Sequence, residues 1–146
     1  MRLAAVVAAI ACTCGVAEAA AGAYRGKTTA GDPVVLKVDN RGRVYAFSYE
    51  GVRLECSDRT EVDTPSGVNR VQTGSARFRV ARNGRWSISR REARTGFGWD
   101  ATGRLRGRKA TGALRVFATY DEQDNQDPDG SVRCESGRLG FALKRR

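Results

Sequence analysis

The chain has 146 residues, carries 26 Lys+Arg against 16 Asp+Glu for a net charge of +10, and contains no His. Without an imidazole it has no Ser-His-Asp or Cys-His catalysis, no His-ligated zinc and no proton switch of unperturbed pKa near neutrality. Arg outnumbers Lys 22 to 4, a ratio that genomic base composition produces as readily as selection for phosphate contacts; the basicity therefore favours anionic partners without naming one, and no specific nucleic acid is inferred.

Arg2 precedes an unbroken apolar run from Leu3 to Ala11, and Ala17-Glu18-Ala19 is a small-x-small site. Together they predict a signal peptide over 1–19 and a single domain over 20–146. Two other readings stay open: an uncleaved anchor, and a lipoprotein attached at Cys12 within Ala9-Ile10-Ala11-Cys12, a box that lacks the usual leading Leu. The expected location is extracellular or in the cell envelope, with no integral membrane span after cleavage.

Cleavage removes Cys12 and Cys14 and leaves Cys56 and Cys134, an even pair in an oxidising compartment, which predicts one disulfide. Cys56 follows Val52 and Leu54 at period two and Cys134 follows Val132, so both sulfurs can face one interior. Closing that long loop restricts the unfolded chain and stabilises the fold by about 4 kcal/mol. A reactive thiol or a metal pair is the competing role, without a CxxC spacing to support it.

Along the mature chain apolar residues alternate with polar ones: Val34, Leu36, Val38; Tyr45, Phe47, Tyr49; Val52, Leu54, Cys56; Ala76, Phe78, Val80; Trp86, Ile88; Phe97, Trp99 and Leu105; Leu114, Val116, Ala118, Tyr120; Leu139, Phe141, Leu143. Period two is the signature of strands buried on one face. Asp39-Asn40-Arg41-Gly42 and Arg82-Asn83-Gly84-Arg85 place Asn or Gly where a tight hairpin needs positive φ. The expected fold is all-β, an antiparallel meander of about eight to ten strands forming a β-barrel or β-sandwich. Pairing of a first strand, Ala23 to Thr29, with a last one, Leu139 to Lys144, would close a barrel.

Two segments interrupt the rhythm. Ser57 to Thr73, with Pro65 and Gly67, reads as a long surface loop. Asp121 to Gly130 holds five carboxylates, so the rest of the mature chain carries +15, and Asn125-x-Asp127-x-Asp129-Gly130 has the spacing of an oxygen-ligand calcium loop. That match is partial, because Asn stands first, Pro128 lies inside, and the twelfth position is Ser136 rather than Glu. The other reading of this segment is a solvated hairpin tip, and calcium is the one cofactor considered.

Arg77 and Arg79 flank Phe78, while Arg104, Arg106 and Arg108 alternate with Leu105 and Gly107, which puts guanidiniums on the outer face of strands. Such a face can grip phosphate, sulfate or carboxylate bidentately, or be the solvated side of half-buried strands. Trp86, Phe97, Trp99 and Phe117 accompany Arg85, Arg90, Arg91 and Arg94, a mixture that stacks bases or sugars but at strand spacing usually builds a core. Glu50, Glu55, Glu61, Asp63, Glu92 and Asp100 show no spacing that selects an acid/base pair, and Ser57, Ser87 and Ser89 have no base to activate them. No catalytic residue is assigned.

The start Ala23-Tyr24-Arg25-Gly26-Lys27-Thr28-Thr29-Ala30-Gly31, the strand Val34 to Val38, the turn Arg41-Gly42, the strand Val52 to Cys56, the closing Cys134-Glu135-Ser136-Gly137 and the strand Leu139 to Leu143 resemble a group of small uncharacterised secreted bacterial all-β proteins with one disulfide. A fainter likeness to avidin-like meanders lies in the Gly-rich first hairpins. The resemblance implies architecture and no activity. The expected function is a secreted, non-catalytic binding or structural module engaging anionic cell-envelope or extracellular polymers. The alternatives are a small carboxylate-dependent glycan hydrolase and a ligand-carrying β-barrel.

Overall fold

The computed structural model describes residues 20–63, 71–72 and 78–146. They form twelve strands and no helix: β1 (Gly22–Thr28), β2 (Pro33–Val38), β3 (Arg43–Tyr49), β4 (Arg53–Cys56), β5 (Glu61–Asp63), β6 (Val71–Gln72), β7 (Phe78–Arg79), β8 (Arg85–Arg91), β9 (Gly98–Arg106), β10 (Lys109–Tyr120), β11 (Val132–Glu135) and β12 (Leu139–Arg145). All pairings are antiparallel and belong to one sheet that curls into a half-barrel, which decides between the barrel-like and sandwich alternatives.

The long strand β10 organises the sheet. One of its edges pairs with β9 from Lys109 to Phe117; the other pairs first with β12, from Lys109 to Leu114, and then with β11, from Phe117 to Tyr120. From β12 the sheet continues through β1, β2 and β3, and from β11 through β4 to β5. The first and last strands do pair, Tyr24 with Arg145 through Thr28 with Phe141. Beyond β3 lies β7, whose turn into β8 returns the chain to the far edge of the same sheet.

The turns follow their residues. In Asp39–Arg43 the Asp39 N–H donates to the Arg43 carbonyl and the Gly42 N–H to the Asp39 carbonyl; Ala81, Gly84 and Arg85 repeat the same two bonds. Gly84 sits at φ 80°, and a Cβ there would lie 2.2 Å from the Leu105 carbonyl oxygen, so the position excludes other residues on both counts. Between β9 and β10 only Gly107 and Arg108 intervene, with Gly107 at φ 54°, the glycine-first geometry of a two-residue hairpin.

One face of the sheet supplies a single core. Trp99, Tyr24, Tyr49, Phe47, Leu36, Leu54, Ile88, Leu105, Leu114 and Leu143 are among its fully buried side chains. Phe47 stacks on Trp99 at 5.4 Å and lies 5.8 Å from Trp86 and 5.9 Å from Phe141, while Trp86 stacks on Phe141 at 6.1 Å. Aromatics thus fill the concave side. Gly103 and Gly112, paired across the β9–β10 ladder, face inward in phase with Trp99 and Leu114 and leave room for the rings: a Cβ on Gly103 would meet Trp86 at 2.6 Å, and one on Gly112 would meet Phe141 at 2.5 Å.

Cys56 and Cys134 are bonded, 78 residues apart in sequence. They are direct partners across β4 and β11, and the Ser57 N–H bonds the Arg133 carbonyl at the next rung. That makes the cysteines a non-hydrogen-bonded pair, the closer type of cross-strand neighbour, with Cα atoms 3.9 Å apart.

Two expectations change. Tyr45 does not join Phe47 and Tyr49 on the inner face: it is 40% exposed, and Val44 is buried instead. The pairing shifts by one residue, from Lys37 with Ala46 to Val38 with Val44, so a bulge at Tyr45 reverses the parity. The segment Ser57 to Thr73 is not simply a loop, because it contains β5, which forms a hairpin with β4, and β6, which pairs with β3. Glu61-Val62-Asp63 offers a single apolar residue, too little for a period to be read. The predicted signal segment 1–19, Pro65, Gly67, Ala76 and Arg77 lie outside the described residues.

Candidate functional site

The outward face of β8, β9, β10, β12 and β1 can be followed row by row from the strand register. The row nearest the chain reversal at Glu92 to Phe97 holds Ser89, Asp100 and Arg115. Its charges are paired: Arg91 Nη2 donates to both carboxylate oxygens of Asp100 at 2.9 Å, Arg90 reaches Glu92 at 2.6 Å, and Arg115 is joined to Glu135. The hydrogen bond and charge of Glu135 raise the Arg115 pKa further above its already high value. Arg91 also lies 4.3 Å over the ring of Phe117, which occupies the space above Gly98, where a Cβ would meet that ring at 2.5 Å.

The second row is neutral and small: Ser87, Thr102, Ala113 and Gly140. The third runs Arg85, Arg104, Thr111, Ala142 and Lys27, and the fourth Arg106, Lys109, Lys144 and Arg25. Polarity therefore changes along the strands. Neutralised charges occupy one end, and cations that form no ion pair among the described residues occupy the other.

Row two, with Arg85, Arg104 and Thr111 of row three, lines an open trough of about 1170 Å³. Its floor carries the hydroxyls of Ser87, Thr102 and Thr111 and the small surfaces of Ala113 and Gly140; its rim carries Arg79, Arg85, Arg104 and Arg138. The turn between β7 and β8 orients two of these arginines: Asn83 Oδ1 accepts the Arg85 backbone N–H at 3.0 Å, and the Asn83 carbonyl accepts Arg104 Nε at 2.8 Å. With Nε held, the terminal nitrogens of Arg104 stay available to a ligand. Guanidiniums beside hydroxyl donors suit an oxyanion, which accepts from both.

The sequence-predicted arginines divide among these places. Arg79 and Arg104 line the trough, Arg106 stands in the fourth row, Arg108 occupies the hairpin tip where its carbonyl accepts the Arg145 N–H, and Arg77 is outside the described residues. Arg85, noted in sequence beside Trp86, joins the trough opposite Arg104, whereas Lys109, Lys144, Arg25 and Lys27 escape a strand-by-strand reading because only the register of β1 and β12 against β10 brings them together. Trp86 and Trp99 belong to the core, as does Phe97.

In the acidic loop, the side chains of Asp121, Asn125 and Asp127 make their hydrogen bonds within the loop itself. Asp121 Oδ1 accepts the N–H groups of Gln123 and Asn125, the Asn125 amide donates to Asp121, and Asp127 Oδ1 accepts the Asp129 N–H. These are turn-forming bonds within the loop. Among the described residues no group of three His, Cys, Asp or Glu side chains is arranged to hold a metal ion. Of the other carboxylates, Glu55 stands directly between Glu61 and Glu135 on exposed surface, and the outer two are paired with Arg53 and Arg115.

Turn carboxylates also set a pH response. Backbone hydrogen bonds from Arg43 and Arg41 hold the Asp39 pKa below the usual value of 3.8, and the amide and side chain of Asn125 do the same for Asp121. A depressed native pKa contributes stability that is present above the unfolded value and is lost as pH falls through the native one. The thermal midpoint is therefore expected to fall as pH drops below about 4, and to fall less steeply in Asp39→Asn, measured by thermal melts between acid and neutral pH.

No protein-family model, curated protein or solved structure matches the chain. Among the described residues no helix is long and apolar enough to cross a membrane, and the disulfide is compatible with an extracellular protein.

Proposed function

We propose that the protein is an exported, non-catalytic module that binds anionic polymers of the cell envelope or extracellular space through the outer face of β8, β9, β10, β12 and β1. The observation that carries this reading is the trough itself, with four arginines around a hydroxyl-bearing, small-residue floor. Two further features support it. Aromatic rings fill the concave side, which favours a surface ligand over one carried inside. The carboxylates nearest the trough, Asp100 and Glu135, are bound to arginines, which favours binding over acid/base hydrolysis.

The test is retention on immobilised polygalacturonate and dextran sulfate at increasing salt. The native protein is expected to be retained at low ionic strength and released as salt screens the contacts. Arg85→Glu with Arg104→Glu is expected to elute at distinctly lower salt with an unchanged circular dichroism spectrum. Passage of the native protein through both columns at low salt rejects the reading.

A further inference from the structure

Row four contains a second, more regular feature. Arg106 is the direct partner of Lys109, Lys109 of Lys144, and Lys144 of Arg25, so four cations stand side by side across β9, β10, β12 and β1. All four are exposed. Like charges directly opposite one another destabilise a sheet, and the chain places them so on three successive ladders. Ordinary solvation of a strand face does not call for this. Among the described residues none of the four forms an ion pair with an acid.

Adjacent strands are about 4.8 Å apart, so the row presents one positive charge at each such interval along a line perpendicular to the strands. A ligand complementary to it is linear and bears one negative charge per repeat of similar length. B-form DNA advances about 3.4 Å along its axis per phosphate of each strand, a different interval. Single-stranded nucleic acid is held by aromatic platforms, and rows three and four contain no aromatic side chain. A polysaccharide with one acid group per sugar ring has the required single charge per repeat. Its free hydroxyls would lie toward Thr111, one row away, and the trough hydroxyls beyond it.

Resting on the anionic-polymer reading, we infer that the ligand is a linear acidic polysaccharide that crosses β9, β10, β12 and β1 along Arg106, Lys109, Lys144 and Arg25, one sugar acid to each cation. The binding unit is then about four sugar residues, set by the number of strands crossed.

Calorimetric titration of the native protein with oligogalacturonates of one to eight residues tests this. Affinity is expected to rise steeply from the monomer to the tetramer and to flatten beyond it, apart from the statistical gain of overlapping positions. Lys109→Glu with Lys144→Glu is expected to lower tetramer affinity at least tenfold and, by turning the outer two of the three like-charge pairs into opposite-charge pairs, to leave the thermal midpoint unchanged or raised. That melting result separates lost binding from lost folding. If long polygalacturonate binds in a salt-dependent way but affinity shows no length threshold, or the double variant binds as well as the native protein, the row is not the path and the wider reading survives. Failure of every polyanion to bind rejects both.

Discussion

Replacing Trp99 by alanine is expected to cost about 3–5 kcal/mol of unfolding free energy, read as a fall in the urea midpoint with little change in slope. Trp99 is fully buried, stacks on Phe47 at 5.4 Å and meets Tyr49 edge-on at 6.0 Å. It sits on β9 opposite Val116 of β10 and Arg90 of β8, so its ring joins strands from both sides of the curl. Removing it opens a void that the flanking rings cannot fill without leaving their own contacts. Its indole N–H has no hydrogen-bond partner among the described residues, a cost that truncation relieves and that places the expected loss toward the lower part of the range. Because small domains are stable by only about 5–15 kcal/mol, the variant is expected to show a measurable unfolded fraction on mild warming. A loss below about 1 kcal/mol would mean that the aromatic cluster is not the keystone of the core.

Loss of the disulfide is the second large effect. Cys56→Ala with Cys134→Ala is expected to destabilise by about 4 kcal/mol through restored freedom of the unfolded chain, within the usual range of 2–5 kcal/mol. The location of the bond adds a local consequence. β4 and β5 hang on the rest of the sheet through β11, where β4 and β11 share the pairs Cys134 with Cys56 and Glu135 with Glu55 and the chain adds one further rung between Ser57 and Arg133. Without the covalent link, limited proteolysis is expected to cut between Ser57 and Asp63 before any cut in β9 or β10. Equal cutting rates in native and variant protein would show that pairing alone holds β4 and β5. Titration of the unfolded native protein is expected to find no free thiol from this pair.

Much of the fold was legible because period two is a direct imprint of one-sided burial. Val34, Leu36 and Val38, and likewise Leu114, Val116 and Ala118, face the core as their spacing requires. The Asn83-Gly84 turn was legible for an equally local reason, since few residues tolerate its backbone. Tyr45 was misread because a bulge changes parity without leaving a mark in composition. β5 was missed because a three-residue strand carries no period.

The site was less legible than the fold. Alternation shows that Arg104 and Arg106 face outward, but which charges become neighbours depends on register between segments far apart in sequence. Lys144 meets Lys109 and Arg25 because β12 inserts between β10 and β1, a long-range pairing with no local signal. The same register explains why a net charge of +10 is not spread evenly: acids cluster with arginines at one end of the face, leaving the other end basic.

The most direct test of the account is an NMR titration of the isotope-labelled protein with polygalacturonate, following backbone and arginine side-chain signals. The account predicts that shifts concentrate on Arg85, Thr102, Arg104, Thr111 and Arg138 and extend to Lys109 and Lys144, while the core signals of Trp99 and Phe47 stay in place. Shifts confined to the loop from Asp121 to Gly130, or centred on the inward rings, would contradict it.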